Sequence, residues 1–443
     1  MQLFFGLIAF ALLFGVVCRA PLAWDGSWYL FNILNSQSPY IPVGRVFTIP
    51  LHYPVVLAST LTSDLRILGM VFGLAYVAVP MTALAVSWWI VRPYAPSLFL
   101  WAALGLGVGT LPGQLLFASE GIQAVQLSWP IILSVLIGIR ARHVPVLLLF
   151  VILVFSAHPV AGPLLALAAG FAFFLGLRRG APRQWLWSWS AGLLAMASLK
   201  LATSLLFPSG YEAGEMSLAM QERHFRSAVA GLPLKALVLA WLGGISVLLL
   251  PVVAGSARVR DRIVRTASLM CVVGAGSLLI LWARDPDRWK YALDFRSWTL
   301  FSSLPFMIFA GVESFTPRAR LESGEETGWK HRLKLVQAVA VVFAIVFCVQ
   351  STAWYGLTNR LREAIDENRR GCVSKASFPW LANSALNHWS ISSYAILLQG
   401  RMPRLFIAAD SRQCAEVGSS RAVLVTPWDY RPKTGGWFDL SAL

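Results

Sequence analysis

The sequence predicts an all-α polytopic membrane protein with a small α/β domain at its carboxy end. Three observations predict it. Of the 443 residues, 57% are hydrophobic and 13% charged, and 19 Trp and 26 Phe enlarge the apolar surface. A soluble chain of this length has no interior able to hold so much. Apolar runs of about 20 residues recur along nearly the whole chain, the length a helix needs to cross a bilayer. The runs are continuous rather than alternating, which suits helices that satisfy their own backbone in lipid and not barrel strands.

Taken in order, about eleven spans are predicted, at 1–18, 65–91, 97–117, 122–139, 144–158, 160–177, 185–207, 233–254, 267–283, 297–313 and 335–353. The region around His158-Pro159 reads either as two short spans or as one re-entrant hairpin. Lys and Arg set the orientation. One group of short loops holds Arg92, Arg140, Arg142, Arg178, Arg179, Arg183, Arg258, Arg260, Arg262, Arg265, Arg318, Arg320, Lys330, Arg332 and Lys334. The opposite, much longer loops hold Arg19, Arg45, Arg223, Arg226, Arg284, Arg288, Lys290 and Arg296. By the positive-inside rule the first group is cytoplasmic. The amino terminus then starts inside, and the segment from about residue 354 ends outside. The expected location is a bacterial inner (plasma) membrane, with membrane lipids as partners.

The net charge of +16 is accounted for by this asymmetry. It does not call for a nucleic-acid partner, and the chain carries no P-loop, zinc-finger spacing or helix-opening G-x-G-x-x-G. The first span lacks the basic start of a cleaved signal peptide, and Ala20-Pro21-Leu22-Ala23 is a poor cleavage site.

Outside the spans, the first outer loop (19–64) is long. Its stretch Trp28-Tyr29-Leu30-Phe31, followed by Ile33 and Leu34, predicts a short interfacial helix. Pro39, Pro42, Pro50 and Pro54 then predict turns. A second outer loop spans 208–232, and a shorter one, Arg284 to Tyr291, mixes charges with aromatics. The polar run Glu322 to Glu326 reads as a solvated cytoplasmic turn. In the tail, Leu361 to Asn368 continues the last span as a helix, while 404–409 and 421–425 read as strands. Cys18, Cys271 and Cys348 fall in or beside spans as small apolar fillers. Cys372 and Cys414 fall in the outer tail, where an oxidising compartment permits a disulfide. About 90 residues is near the minimum for an independent core, so that bond, or docking on the outer loops, helps the tail fold.

Acids beside lipid are costly and therefore paired or functional. Asp25, in Trp24-Asp25-Gly26-Ser27-Trp28-Tyr29, directly follows the first span. It suits a general base that draws a proton from an acceptor hydroxyl, or an N-cap for the helix that follows. Glu120 sits in the very short loop Phe117 to Gly121. There it is a second candidate acid or a cap of span four. Arg45 suits bidentate contact with a phosphate or pyrophosphate, or an interfacial anchor. His52, Tyr53, His158 and His224 are further candidates for substrate or phosphate contacts, with ordinary structural hydrogen bonding as the alternative. Arg288, Lys290 and Arg296 form the strongest outer basic patch, suited to a lipid phosphate or to anionic headgroups in general. Lys200, inside span seven, either snorkels or faces a polar cavity.

This layout resembles the GT-C superfamily of polytopic glycosyltransferases, which use polyprenyl-phosphate-linked sugars on the outer face. The features that carry the resemblance are the first span, Asp25 in Trp24-Asp25-Gly26-Ser27-Trp28-Tyr29, the long loop through Pro54 and the soluble tail. It implies that Asp25 is the acceptor-activating acid and Glu120 a second acid. It also implies a polyprenyl-phosphate sugar donor and a glycan or lipid acceptor. Many members carry Asp-Glu or Asp-x-Asp where this chain has Asp-Gly-Ser. A metal site is therefore not assigned, and a divalent cation, Mg or Mn, stays open. Two alternatives remain: an O-antigen ligase or polymerase type, in which Arg223, His224, Arg288 and Arg296 matter more, and a non-enzymatic transporter or flippase.

Overall fold

The computed structural model describes residues 1–107, 118–177, 183–207, 303–315 and 325–368, and in the tail 371–382, 384, 386–408, 413–414, 417, 422–426, 429–432 and 434–443. The described chain is mostly helical. In order it forms α1 (Gln2–Val17), α2 (Asp25–Ser36), α3 (Ile49–Leu61), α4 (Leu65–Val91), α5 (Phe99–Gly107) and α6 (Glu120–Leu136). There follow α7 (Val144–Ala157), α8 (Ala161–Gly176), α9 (Arg183–Leu206), α10 (Leu304–Phe315) and α11 (Glu325–Asn368). The tail adds β1 (Gly371–Ser374), α12 (Pro379–Ala382), α13 (Ile391–Gln399), β2 (Leu405–Ala408), β3 (Ala422–Thr426) and β4 (Asp429–Pro432).

Among the described residues three helices are long and apolar enough to cross a membrane: α4, α9 and Arg332–Asn368 of α11. They coincide with the spans predicted at 65–91, 185–207 and 335–353. The spans predicted at 1–18, 144–158 and 160–177 are single helices of 16, 14 and 16 residues. These fall short of the roughly 20 residues of a perpendicular crossing. The count of about eleven is therefore met only in part, and 233–254 and 267–283 lie outside the described residues. At His158 the backbone is extended (φ −153°, ψ 153°), because the Pro159 ring disfavours helix at the residue before it. That break makes α7 and α8 two short helices.

The first outer loop departs from expectation. Pro50 and Pro54 do not make turns but lie in α3. Pro50 occupies the first turn, where a missing N–H leaves no helical bond unmade, and Pro54 removes one bond in the interior. Asp64 ends the loop by accepting a hydrogen bond from the Arg66 backbone N–H at 2.7 Å, which caps α4.

Helix α1 packs against α11 and α4, α4 against α6, and α8 against α9 and α6. A carboxylate holds one end of this packing. Glu313 on α10 accepts from Arg332 of α11 at 2.6 Å, from Ser97 at 2.7 Å and from Trp101 Nε1 of α5 at 2.7 Å. Lys200 of α9 lies over the Phe155 ring of α7, 5.4 Å from its centroid.

Helix α11 runs beyond its last apolar residues into the tail, as predicted. β1 pairs in parallel with β2, and β3 antiparallel with β4, as two separate sheets. β2 and β3 match the predicted strands. β1 and β4 were not predicted, being four residues each and without clear alternation. Cys372 and Cys414 are joined by a disulfide with Cα atoms 5.4 Å apart. Cys18 is buried and Cys348 half-buried, both as thiols. The tail packs α13 on α2, so it is docked on the first outer loop.

Candidate functional site

The chain turns sharply between α1 and α2. Arg19 takes the left-handed conformation (φ 61°, ψ 23°), Ala20–Leu22 make a single 3-10 turn, and Trp24 sits at φ 55°, ψ −118°. Asp25 is the first residue inside α2, with Trp24 and not Asp25 at the N-cap position. Its carboxylate nevertheless lies where the helix dipole favours negative charge. The side chain is buried, 8% exposed. Gly26 explains why no second acid follows it. A Cβ at Gly26 would run into the Pro21 carbonyl oxygen, with the carbonyl carbon at 2.9 Å. The turn therefore admits only glycine at the position beside Asp25.

Three tail residues, His388-Trp389-Ser390, grip this turn. The Ser390 hydroxyl donates to the Trp24 carbonyl at 2.6 Å, and the Ser27 hydroxyl donates to the same oxygen at 3.0 Å. His388 stacks on Trp24 with centroids 5.2 Å apart, and Trp389 meets Trp28 edge-on at 5.1 Å. The Ser390 backbone N–H donates to His388 Nδ1 at 3.2 Å, so the neutral ring carries its proton on Nε2. Burial, with a smaller push from Lys375, lowers the His388 pKa to about 3. The buried His388 Nε2 and Trp24 Nε1 have no hydrogen-bond partner among the described residues.

Glu120 opens α6 and is wholly buried. It accepts hydrogen bonds from the Tyr29 hydroxyl of α2 and from Arg45 Nη1, the latter at 2.9 Å. Burial, then the charges of Glu120 and Asp25, raise the Tyr29 pKa well above its ordinary value. Tyr29 therefore stays protonated and donates. Asp25 lies one helical turn before Tyr29 on α2, so Tyr29 links the two acids. His52 closes the cluster. The Tyr40 carbonyl accepts from its Nδ1 at 2.7 Å, and burial lowers its pKa to about 4. The neutral ring then leaves Nε2 bare, and the Tyr76 hydroxyl donates to it at 2.8 Å.

The structure thus gathers Asp25, Glu120, Arg45 and His52. It gives Arg45 a carboxylate, Glu120, and both His52 nitrogens are engaged within the chain. Tyr53 points outward, 53% exposed. His158 accepts from the Val160 backbone N–H at 3.2 Å, which fastens the α7–α8 turn. His224, Arg288, Lys290 and Arg296 lie outside the described residues. Among the described residues no group of three His, Cys, Asp or Glu gathers as a metal site. Tyr29, Tyr76 and the His388–Ser390 grip escaped sequence reasoning. The one available signal was a hydroxyl, Tyr76, in the apolar run 65–91. No protein-family model, curated protein or solved structure matches this chain.

Proposed function

We propose that the protein is a membrane glycosyltransferase that moves a sugar from a polyprenyl-phosphate donor to a hydroxyl of a glycan or lipid acceptor on the outer face. The observation that carries the reading is that Asp25 and Glu120, far apart in sequence, share Tyr29, which donates to Glu120 and lies one helical turn after Asp25 on α2. A buried acid at the start of α2 is where an acceptor hydroxyl meets a base without bulk water. Asp25 takes the hydroxyl proton as its oxygen attacks the anomeric carbon. The sugar–phosphate C–O bond breaks, and the phosphate leaves with the electron pair. Glu120 is a positioning residue: Arg45 and Tyr29 occupy its oxygens and lock α6 to the first loop. The charge asymmetry of the loops supports the outer placement.

The test is transfer of labelled sugar from a polyprenyl-phosphate donor to a membrane lipid extract by the purified chain. Asp25→Asn abolishes transfer while leaving the unfolding curve unchanged. Wild-type transfer by Asp25→Asn refutes the assignment.

A further inference from the structure

Three arginines, Arg19, Arg66 and Arg362, line a cavity of about 270 Å³ together with Asp64, Tyr394 and Gln399. Arg19 follows α1, Arg66 begins α4, and Arg362 comes from the last turns of α11. Two of these are ends of apolar helices, the level at which a bilayer presents its headgroups. Among the described residues none of the three forms an ion pair with a carboxylate. The acid in the wall, Asp64, accepts the Arg66 backbone N–H as the cap of α4. Gln399 is committed too: its amide group bonds the Ala395 and Leu405 carbonyls and the Arg404 and Leu405 N–H groups. The Tyr394 hydroxyl lies 2.7 Å from that of Thr358. The cavity therefore sets three guanidinium groups against a single carboxylate, Asp64, and keeps a net positive charge.

Two further observations show that this is a costly arrangement. Arg19 is a non-glycine residue held in the left-handed region just past a helix end, where glycine is the usual occupant. Its carbonyl is pinned there by Trp354 Nε1 at 3.0 Å. Burial also lowers the Arg19 pKa, and Arg362 and Arg66 push it the same way, against Tyr394. Three like charges around one carboxylate, with Arg19 and Arg362 half-buried, mark a place for an anion. Planar guanidiniums match phosphate oxygens in bidentate pairs.

We propose that Arg19, Arg66 and Arg362 form a phosphate-binding site at the membrane surface, filled by the phosphomonoester headgroup of a lipid or by free phosphate. The site is separate from the Asp25–Glu120 cluster and stands whether or not the chain transfers sugars.

The experiment is native mass spectrometry of the purified full chain in detergent micelles. The probes are dioleoyl phosphatidic acid, dioleoyl phosphatidylcholine and inorganic phosphate. Phosphatidic acid is retained and phosphatidylcholine is not. Retention falls roughly tenfold or more in Arg19→Gln and in Arg362→Gln, the loss expected of one charge-assisted contact. It is unchanged in Arg183→Gln, at the start of α9. Lipid retention that millimolar phosphate fails to displace identifies the lipid as the occupant. Retention of phosphate alone, lost in the same variants, identifies the free ion. Should Arg19→Gln fail to fold, Arg66→Gln, whose side chain is exposed, gives the same reading. Equal retention of both lipids, or wild-type retention of phosphatidic acid and of phosphate by the variants, overturns the proposal.

Discussion

Replacing Arg45 by Met leaves Glu120 as a buried charge without its cation. The side chains are 7% and 0% exposed, and the ion pair spans 2.9 Å. At that distance two unit charges attract by about 6 kcal/mol for an effective dielectric of about 20. The variant also escapes the desolvation of Arg45, which offsets part of the loss. The expected net cost is about 3–5 kcal/mol, that of breaking a buried pair from one side. Adding Glu120→Gln removes the stranded charge and keeps an acceptor for Tyr29. The double variant then recovers about half of the loss or more, as coupled neighbours do. The assay is reversible unfolding in mixed micelles of rising dodecyl sulfate fraction, followed by far-ultraviolet circular dichroism. A cost for Arg45→Met within about 1 kcal/mol, the range of an exposed pair, refutes the reasoning. So does a double variant as unstable as the sum of the singles.

The remaining predictions concern the turn, the histidines and the tail. Gly26→Ala forces a Cβ against the Pro21 carbonyl and destabilises the chain by about 1–3 kcal/mol; the same unfolding assay reads it, and a neutral result removes the steric account of the Asp-Gly pair. His52 and His388 are lowered to about 4 and about 3, so each favours folding fully above its unfolded value of about 6.5. That contribution is lost as pH falls from there through the folded values, by about 3 kcal/mol for His52. His52→Phe flattens the dependence of stability on pH between about 6.5 and 4, and an unchanged slope contradicts a neutral buried His52. Opening the Cys372–Cys414 loop, whose ends are 42 positions apart, costs up to about 4 kcal/mol in the chain-entropy account. Cys372→Ser with Cys414→Ser then makes the tail cleave faster under limited proteolysis, while unchanged cleavage shows that docking on α2 suffices.

Much of the helical pattern was legible because lipid and apolar cores impose it locally. The run 65–91 is helix α4 at the predicted bounds, and Leu361 to Asn368 continues α11. The break at His158-Pro159 was visible because proline constrains its neighbour whatever the surroundings. Helix α3 was misread as turns, since Pro50 and Pro54 are breakers locally and only packing on α4 overrules them. In the candidate site, Asp25 and Glu120 stood out as rare acids near apolar segments. Arg45 stood out as well, but as a phosphate contact rather than as the partner of Glu120; Tyr29 and Tyr76 did not, because they are ordinary residues until folding brings them within hydrogen-bonding reach.

The sequence by itself determined that this is a helical, strongly apolar chain with a basic asymmetry, an acid after its first helix and two tail cysteines able to pair. Composition and periodicity carry those properties, each of which depends on a residue and its near neighbours. Only the tertiary structure decided that Asp25 is the first residue of α2 and that Arg45 holds Glu120. Only it showed the tail closing over Trp24 through Ser390, and three arginines from distant segments sharing one cavity. These depend on distances between residues far apart in the chain, which a linear pattern of apolar and charged positions does not encode.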